Sequence, residues 1–191
     1  MFGAAHRTDM QKKNSSSFPV LKTTRLVLRK LVLADAADLL KLRSDDRVNQ
    51  YLNRPKTIST DEAVAFINKI DAGIVNGQSY YWVISPDGKN RLIGTICLWN
   101  IDTGNSSVEV GYELHPGYQG KGFMQEALLK VIDFVFNVLL FKKITAYTHA
   151  ANEKSIKLLE KNNFTRDLVL EHEFHAAEPA AVEIVYSLSS P

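Results

Sequence analysis

Cysteine is scarce in this sequence, because Cys97 is the only one among 191 residues. A single thiol cannot form a disulfide within the chain, so a reducing compartment such as the cytoplasm is the simplest expectation. A nucleophilic cysteine needs a nearby histidine and a pKa-lowering environment, and neither is visible around Cys97. We therefore predict that Cys97 packs as a small hydrophobic side chain in a strand. The five histidines and one cysteine show no metal-ligand spacing, so we predict no metal site.

Long apolar runs and an excess of one charge are also missing. No apolar stretch approaches the ~18 residues that a membrane helix needs. The net charge of +2 comes from 23 basic and 21 acidic residues, without a long block of either sign. This balance gives no reason to expect direct binding to nucleic acid. The composition predicts neither a membrane nor a nucleic acid as a direct partner, and it does not reveal an oligomeric state.

The start of the chain differs in composition from the rest. It contains basic residues and the run Ser15-Ser16-Ser17, but it lacks the apolar core of a secretion signal. A chain of this length fits one domain with a substantial core. We predict a mobile leader at residues 1–20 and a single domain at residues 21–191.

Strand and helix signals alternate through the rest of the chain. Asp35 is placed to cap a helix that runs to about Arg43, and Ser59 to Glu62 form a capping box for a second helix. Further on come a predicted hairpin, a strand, a helix, a strand, another helix and two closing strands; the strand segments are 80–85, 92–101, 108–114 and 143–148. This succession predicts an α/β (α+β) fold, in which a mixed sheet carries helices on both faces.

The most informative segment runs from His115 to Ala127, where a strand passes into a helix through a glycine-rich loop. From Met124 onward, apolar residues recur at three- and four-residue spacing, which indicates a buried helical face. The first turn of a helix has free backbone N–H groups and a partial positive charge, so it attracts anions. Gly120 and Gly122 allow a close approach to the backbone, and Lys121 adds a positive charge. The pattern predicts a phosphate-binding loop.

Two common phosphate-binding motifs do not fit this loop. A P-loop needs four residues between its first glycine and Gly-Lys-Ser/Thr, but only two separate Gly117 from Gly120, and Gly122 stands in place of the hydroxyl residue. A Rossmann fingerprint needs a small residue where this chain has Gln125, and it lies early in the chain. Neither nucleotide-binding motif is therefore predicted.

The loop instead resembles the acetyl-coenzyme A loop of the GCN5-related N-acetyltransferases (GNAT family), of the RimJ/RimL type that acetylates protein N-termini, including those of ribosomal proteins. It follows a strand reading Val-Glu-Val-Gly-Tyr-Glu-Leu at residues 108–114. Residues 151–164 resemble the same family's Asn-x-x-Ser-x-x-Leu helix and the turn before Phe164, with Asn163 replacing the usual glycine. Residues 24–29 resemble its opening strand. The resemblance covers about residues 21–188 and implies a central sheet of about seven strands.

The resemblance implies where the acetyl donor binds. The pyrophosphate of acetyl-coenzyme A would lie on the backbone N–H groups of Gln119, Gly120, Lys121, Gly122, Phe123 and Met124. The pantetheine arm would run beside the strand that ends at Leu114 and would contact Asn152. Asn152 could equally be a helix cap. Because only the backbone at Met124 needs to face the phosphate, its side chain should be tolerated there.

Two residues are predicted to be catalytic. Strand alternation places Glu109, Gly111 and Glu113 on one face, and Glu109 matches a glutamate that serves as general base in some GNAT enzymes. Glu109 could also be an ordinary strand carboxylate. By resemblance, Ser155 donates to the leaving thiolate, although it could be a small packing residue. Tyr112, Tyr118 and His149 are weaker candidates, and Trp82 and Trp99 are expected in the core.

The expected activity is therefore acetyl transfer from acetyl-coenzyme A to a primary amine by direct attack. A protein N-terminus, such as that of a ribosomal protein, is the first expected acceptor. A polyamine, an amino acid or an antibiotic is the alternative, and a non-catalytic coenzyme A binding module is the alternative from another class. Residues 45–57 and 170–179 are expected to be loops that select the acceptor, the second made acidic by Glu171, Glu173 and Glu178.

Overall fold

Eight strands form one mixed sheet in the computed structural model, which describes residues 18–52 and 54–191. The strands are β1 (Leu21–Lys22), β2 (Leu26–Lys30), β3 (Tyr80–Pro86), β4 (Gly94–Asp102), β5 (Ser107–Leu114), β6 (Lys143–His149), β7 (Thr165–Arg166) and β8 (Glu183–Ser189). Their order across the sheet is β1-β2-β3-β4-β5-β6-β8-β7. The expected count of about seven becomes eight because each edge strand has only two residues, too few to show alternation.

Six α-helices accompany the sheet in the described ranges. They are α1 (Ala36–Ser44), α2 (Asp46–Asn49), α3 (Thr60–Val75), α4 (Phe123–Asn137), α5 (Glu153–Lys161) and α6 (Leu168–Ala177). The Ser59 hydroxyl accepts from the Glu62 N–H at 3.2 Å, which confirms the predicted start of α3. Asp35 stands at the N-cap position of α1 as predicted, but its side chain does not cap the helix, because the carboxylate binds the guanidinium of Arg29 at 2.6 and 2.8 Å. None of these helices has the length and apolar character needed to cross a membrane.

Helices cover both faces of the sheet, as the sequence predicts. Alternate residues of β3 separate the two cores, since Trp82 joins the core under α4 and α5 whereas Tyr81 joins the core under α1 and α3. Cys97 belongs to the second core, where burial raises the pKa of its thiol to about 12 and makes it a poor nucleophile. The prediction of a packed rather than reactive cysteine is confirmed.

Contacts of the domain begin before the expected boundary at residue 21. Phe18 packs on Trp82 with ring centroids 5.6 Å apart, and the Trp82 indole donates to the Pro19 carbonyl at 2.8 Å. The rest of the predicted leader, residues 1–17, lies outside the described residues.

Asn163, in the turn after α5, has a φ of 64°, so it takes the left-handed conformation expected of a residue that replaces glycine.

The feature of the sheet that matters most for function is the separation of β5 from β6. These two strands are parallel, whereas the other neighbours in the sheet are antiparallel. Their pairing covers only Ser107, Val108 and Glu109 of β5, opposite residues 143–145. Beyond Glu109, β5 continues to Leu114 paired with β4 on its other side. Among the described residues, the sheet is therefore open along one edge of β5 from residue 110 onward.

Candidate active site

The glycine loop has the geometry of an anion site. Gly120 and Gly122 have φ values of 72° and 78°, and Gly122 directly precedes α4. These left-handed conformations favour glycine and turn the chain into the helix. Within the described part of the chain, the backbone N–H groups from Gly120 to Gln125 have no hydrogen-bond acceptor. Six consecutive donors at the positive end of a 15-residue helix thus remain available to a ligand.

Arg25, which directly precedes β2, lies beside this loop. The guanidinium of Arg25 donates to the Lys121 carbonyl at 3.0 Å and to Glu126 at 2.6 Å, and it lies 4.7 Å from the centroid of the Phe123 ring. A Cβ added to Gly122 would approach its terminal nitrogen to 3.3 Å. Arg25 is 46% exposed, so it is held in place yet accessible to an anion. Sequence reasoning treated Arg25 only as part of a motif and missed this position.

The other predicted donor-site residues lie along the same path. The Lys121 ammonium donates to the Gly117 carbonyl at 2.7 Å, so it is tethered within the loop. The Gln119 amide donates to the Leu114 carbonyl at 3.0 Å and thereby joins the loop to the end of β5. The Met124 side chain is buried in the core, so its backbone alone faces the loop. The loop and the open edge of β5 are therefore continuous.

Tyr112 and Ser155 meet on the α5 side of this open edge. Their hydroxyl oxygens are 2.8 Å apart, and burial raises the pKa of Tyr112 to about 12. The Asn152 side chain accepts from the Ser155 N–H at 3.2 Å, which makes it the N-cap of α5. Tyr112 was only a weak candidate from sequence, because a strand tyrosine is more often a packing residue. The structure pairs it with a predicted catalytic residue, and both hydroxyls stay protonated at neutral pH.

Glu109 lies on the opposite face, at the last pair before β5 and β6 separate. Its carboxylate accepts a hydrogen bond from the Asn100 amide at 2.8 Å. Burial raises the pKa of Glu109 above its usual value, while the bonds from Asn100 and Trp99 oppose that rise. A carboxylate with a raised pKa is a better proton acceptor than a free glutamate.

Glu113 shares the face of Glu109 but has another environment. Its carboxylate binds Arg43 at 3.6 Å, the Thr95 hydroxyl at 3.2 Å and the guanidinium of Arg54. Only 8% of its side chain is exposed. Two arginines neutralise this glutamate, so it joins α1 and the following segment to β5 rather than serving as a free base.

Three expectations about the acceptor side are wrong or incomplete. Trp99 is 47% exposed and is not in the core. Residues 170–179 are mostly helix α6 rather than a loop, and Glu171 is buried against Arg166 at 2.6 Å, so it adds no free charge. His149 is engaged locally, since its ring nitrogen accepts from the Ala151 N–H at 3.0 Å and its ring packs on Tyr51.

A family model described as "Acetyltransferase (GNAT) domain" matches residues 25–165. The chain belongs to the GNAT family. This acetyltransferase is 30% identical over 174 residues to the uncharacterized N-acetyltransferase YoaA of Bacillus subtilis, covering 91% of the chain and 98% of the relative. It is 35% identical over 150 residues to the uncharacterized N-acetyltransferase p20 of Bacillus licheniformis, covering 78% and 84%. It is also 26% identical over 151 residues to a spermidine N(1)-acetyltransferase of Vibrio cholerae, covering 79% and 85%.

Solved structures agree on the fold. RimL, a ribosomal alpha-N-protein acetyltransferase in complex with coenzyme A, has a TM-score of 0.75 at 16% identity, covering 90% of this chain and 98% of the other. Mycobacterium smegmatis RimJ, in complex with a coenzyme A disulfide, has a TM-score of 0.73 at 17% identity, covering 90% and 86%. At these identities the likeness establishes the fold alone.

The residues around the loop fit the donor that this family uses. Acetyl-coenzyme A supplies an activated acetyl group and carries phosphates, which match six free N–H groups, two left-handed glycines and an adjacent arginine. The protein is thus an acetyl-coenzyme A dependent N-acetyltransferase, and the alternative of a non-catalytic binding module is set aside.

Proposed function

We propose that this enzyme acetylates the N-terminal amine of a protein, with Glu109 as the general base and the Tyr112–Ser155 pair as the proton donor to the leaving thiolate. The observation that carries the proposal is the position of Glu109. It is a half-buried carboxylate with a raised pKa at the point where the sheet opens. The hydroxyl pair lies on the other side of the same opening.

The residues of the donor site bind acetyl-coenzyme A and orient its thioester. The N–H groups of residues 120–125 hold the phosphates, with the Arg25 guanidinium beside them, whereas the Gln119 N–H donates to the Pro116 carbonyl at 3.2 Å and is not available. The backbone edge of β5 beyond Glu109 offers hydrogen-bonding groups to the pantetheine arm, which carries amides of its own. Asn152 caps α5 and so fixes where Ser155 points. This arrangement would place the thioester at the gap between β5 and β6.

The chemical step uses groups on both sides of the gap between β5 and β6. The acceptor nitrogen attacks the thioester carbonyl, so a C–N bond forms and the C–S bond breaks. Glu109 takes the proton that the amine loses, directly or through a water molecule. Tyr112 or Ser155 donates a proton to the departing sulfur, and the shared hydrogen bond lets the pair relay it. No acyl-enzyme is required, and the buried Cys97 takes no part.

An N-terminal amine suits this base. Its unperturbed pKa of about 7.7–8.0 leaves an appreciable neutral fraction near neutral pH, whereas a lysine at about 10.4 needs far more assistance. A single carboxylate is therefore a sufficient base when the acceptor is an N-terminal amine. The fold neighbours whose names specify ribosomal proteins point the same way. The relationship to a spermidine acetyltransferase favours a second candidate acceptor, a small polyamine.

The test is thiol release from acetyl-coenzyme A with N-terminal peptides, spermidine, amino acids and aminoglycosides as acceptors. We expect turnover with peptides and a loss of about 10²–10⁴ in kcat/KM for Glu109→Gln, with an unchanged Kd for coenzyme A. Asp133→Asn, which makes the same carboxylate-to-amide change at an exposed position of α4, is the control and should behave as wild type. Turnover with small amines alone would replace the acceptor assignment. Wild-type rates in Glu109→Gln would refute Glu109 as the base.

A further inference from the structure

Asn100 occupies an unusual backbone conformation next to the candidate base. Its φ is 45°, in the left-handed region that few residues other than glycine adopt, although asparagine tolerates it better than most. The residue lies within β4, where an extended conformation is the rule. Such an outlier has a free-energy cost, and residues of this kind concentrate at functional sites.

The cause of this conformation is a β-bulge. Trp99 of β4 pairs with Glu109, and the next pair joins Asp102 to Ser107. Three steps along β4 therefore correspond to two steps along β5, so β4 contains one extra residue between these pairs. A bulge of this kind re-aims the side chains around it.

The bulge changes which face Asn100 occupies. Ile96 and Leu98 pack in the core under α4 and α5, so strict alternation would direct residue 100 to that core as well. Ile101 takes that place instead. Asn100 is left on the side of Glu109, where its amide donates to one carboxylate oxygen at 2.8 Å.

We infer that Asn100 is a positioning residue for the general base: the bulge turns its amide onto Glu109, orients the carboxylate and stabilises its ionised form. This inference rests on the proposed function of Glu109. The Asn100 amide donates to Oε2 and Trp99 is a second donor, and a carboxylate with two oxygens and about four lone-pair sites still has the capacity to take the amine proton. Asn100 touches neither substrate in this scheme and acts through Glu109.

Two titratable side chains that face Glu109 stay neutral where it changes charge. Cys97 on β4 and Tyr147 on β6 face it, and burial together with nearby carboxylates raises the pKa of each side chain. Both therefore stay neutral while Glu109 changes charge. Glu113, two pairs further along the same face, is held by its two arginines. Burial raises the pKa of Glu109, and the Asn100 donor is the main opposing influence.

Asn100→Gly separates two roles of Asn100, which are to form the bulge and to donate a hydrogen bond to Glu109. Glycine accepts the positive φ at least as well as asparagine, so the bulge should persist while the donor is lost. Ser106→Gly is the matched control, because Ser106 has a φ of 53° in the same connection between β4 and β5. Asn100→Asp keeps the size of the side chain but places a second carboxylate against Glu109.

Two measurements decide the inference. In the pH profile of kcat/KM, divided at each pH by the neutral fraction of the acceptor amine, we expect the acid limb of Asn100→Gly to move to higher pH, with rates about three- to tenfold below wild type on that limb and a plateau close to wild type. Asn100→Asp should move the limb in the same direction, and Ser106→Gly should leave it in place. Carbon-13 NMR of the Glu109 carboxyl, recorded on the protein without substrates, should show the same ordering of pKa values.

The outcomes of the two proposals can be told apart. If Asn100→Gly keeps both the wild-type acid limb and the wild-type Glu109 titration, the positioning role is wrong and Asn100 serves only the bulge. If Glu109→Gln retains activity, the base assignment fails. The NMR titration would then still report whether Asn100 controls the ionisation of Glu109.

Discussion

Replacing Gly122 by alanine tests the donor loop most directly. At a φ of 78° an alanine is strained by about 1–2 kcal/mol, and its Cβ would also approach the Arg25 guanidinium to 3.3 Å. For a chain of this size we expect the melting temperature to fall by roughly 2–8 °C. If the loop relaxes to relieve the strain, the N–H groups before α4 no longer converge on one anion.

The effect on donor affinity can be estimated from these N–H groups. A hydrogen bond to a charged group contributes about 1.5–3 kcal/mol, so losing one should raise the Kd for coenzyme A roughly tenfold to a hundredfold. Calorimetric titration with coenzyme A measures the Kd, and thermal unfolding measures the loss of stability. Gly122→Ala should therefore show both effects.

Gly88→Ala is the matched control. Gly88 has a φ of 69° in the turn between β3 and β4, and no atom lies within 4 Å of its added Cβ. It should lose about the same stability as Gly122→Ala but keep the wild-type Kd. If Gly122→Ala also keeps the wild-type Kd while losing stability, the assignment of the phosphates to this loop is wrong.

Two further predictions concern residues on either side of the donor site. Arg25→Gln should weaken coenzyme A binding about fivefold, because a partly exposed charge contributes about 1 kcal/mol, and it should not affect acetyl-pantetheine, which lacks the phosphates. Equal losses for both donors would show that Arg25 only holds Glu126 in place. Ser155→Ala should lower kcat by about tenfold or more while leaving the KM for acetyl-coenzyme A near wild type, and Tyr112→Phe should do the same. A change confined to KM in both variants would assign the pair to binding rather than to proton transfer.

Local signals were enough to predict much of the fold. The capping box at Ser59, the hairpin of segments 80–85 and 92–101 and the apolar spacing after Met124 each depend on residues close in sequence, and each structural element formed as expected. Asn163 is a similar case, because left-handed tolerance belongs to the residue itself. The geometry of the glycine loop was predictable for the same reason, since its glycines and the helix that follows are contiguous.

The errors arise where contacts between distant residues decide the outcome. Helix α6 begins with three consecutive apolar residues, at positions 168–170, so it lacks the three- and four-residue spacing that predicts a helix. Asp35 could be read as a helix cap because its partner Arg29 lies on the preceding strand. Trp99 is in regular register opposite Glu109, so its exposure depends on which elements cover that part of the sheet, and alternation along one strand does not show this.

The candidate chemistry depends on the interruption of the sheet. Alternation along β5 places Glu109 and Tyr112 on opposite faces, which in a continuous sheet would prevent them from acting on one substrate. The pairing of β5 with β6 ends at Glu109, so beyond that residue the gap between the strands connects the two faces of the sheet. A proton acceptor on one face and a proton donor on the other then fit a reaction in which nitrogen loses a proton and sulfur gains one. The opening supplies a reason for the strand to carry the two groups on different faces: the acceptor amine can approach from the side of Glu109 while the thiol departs on the side of Ser155.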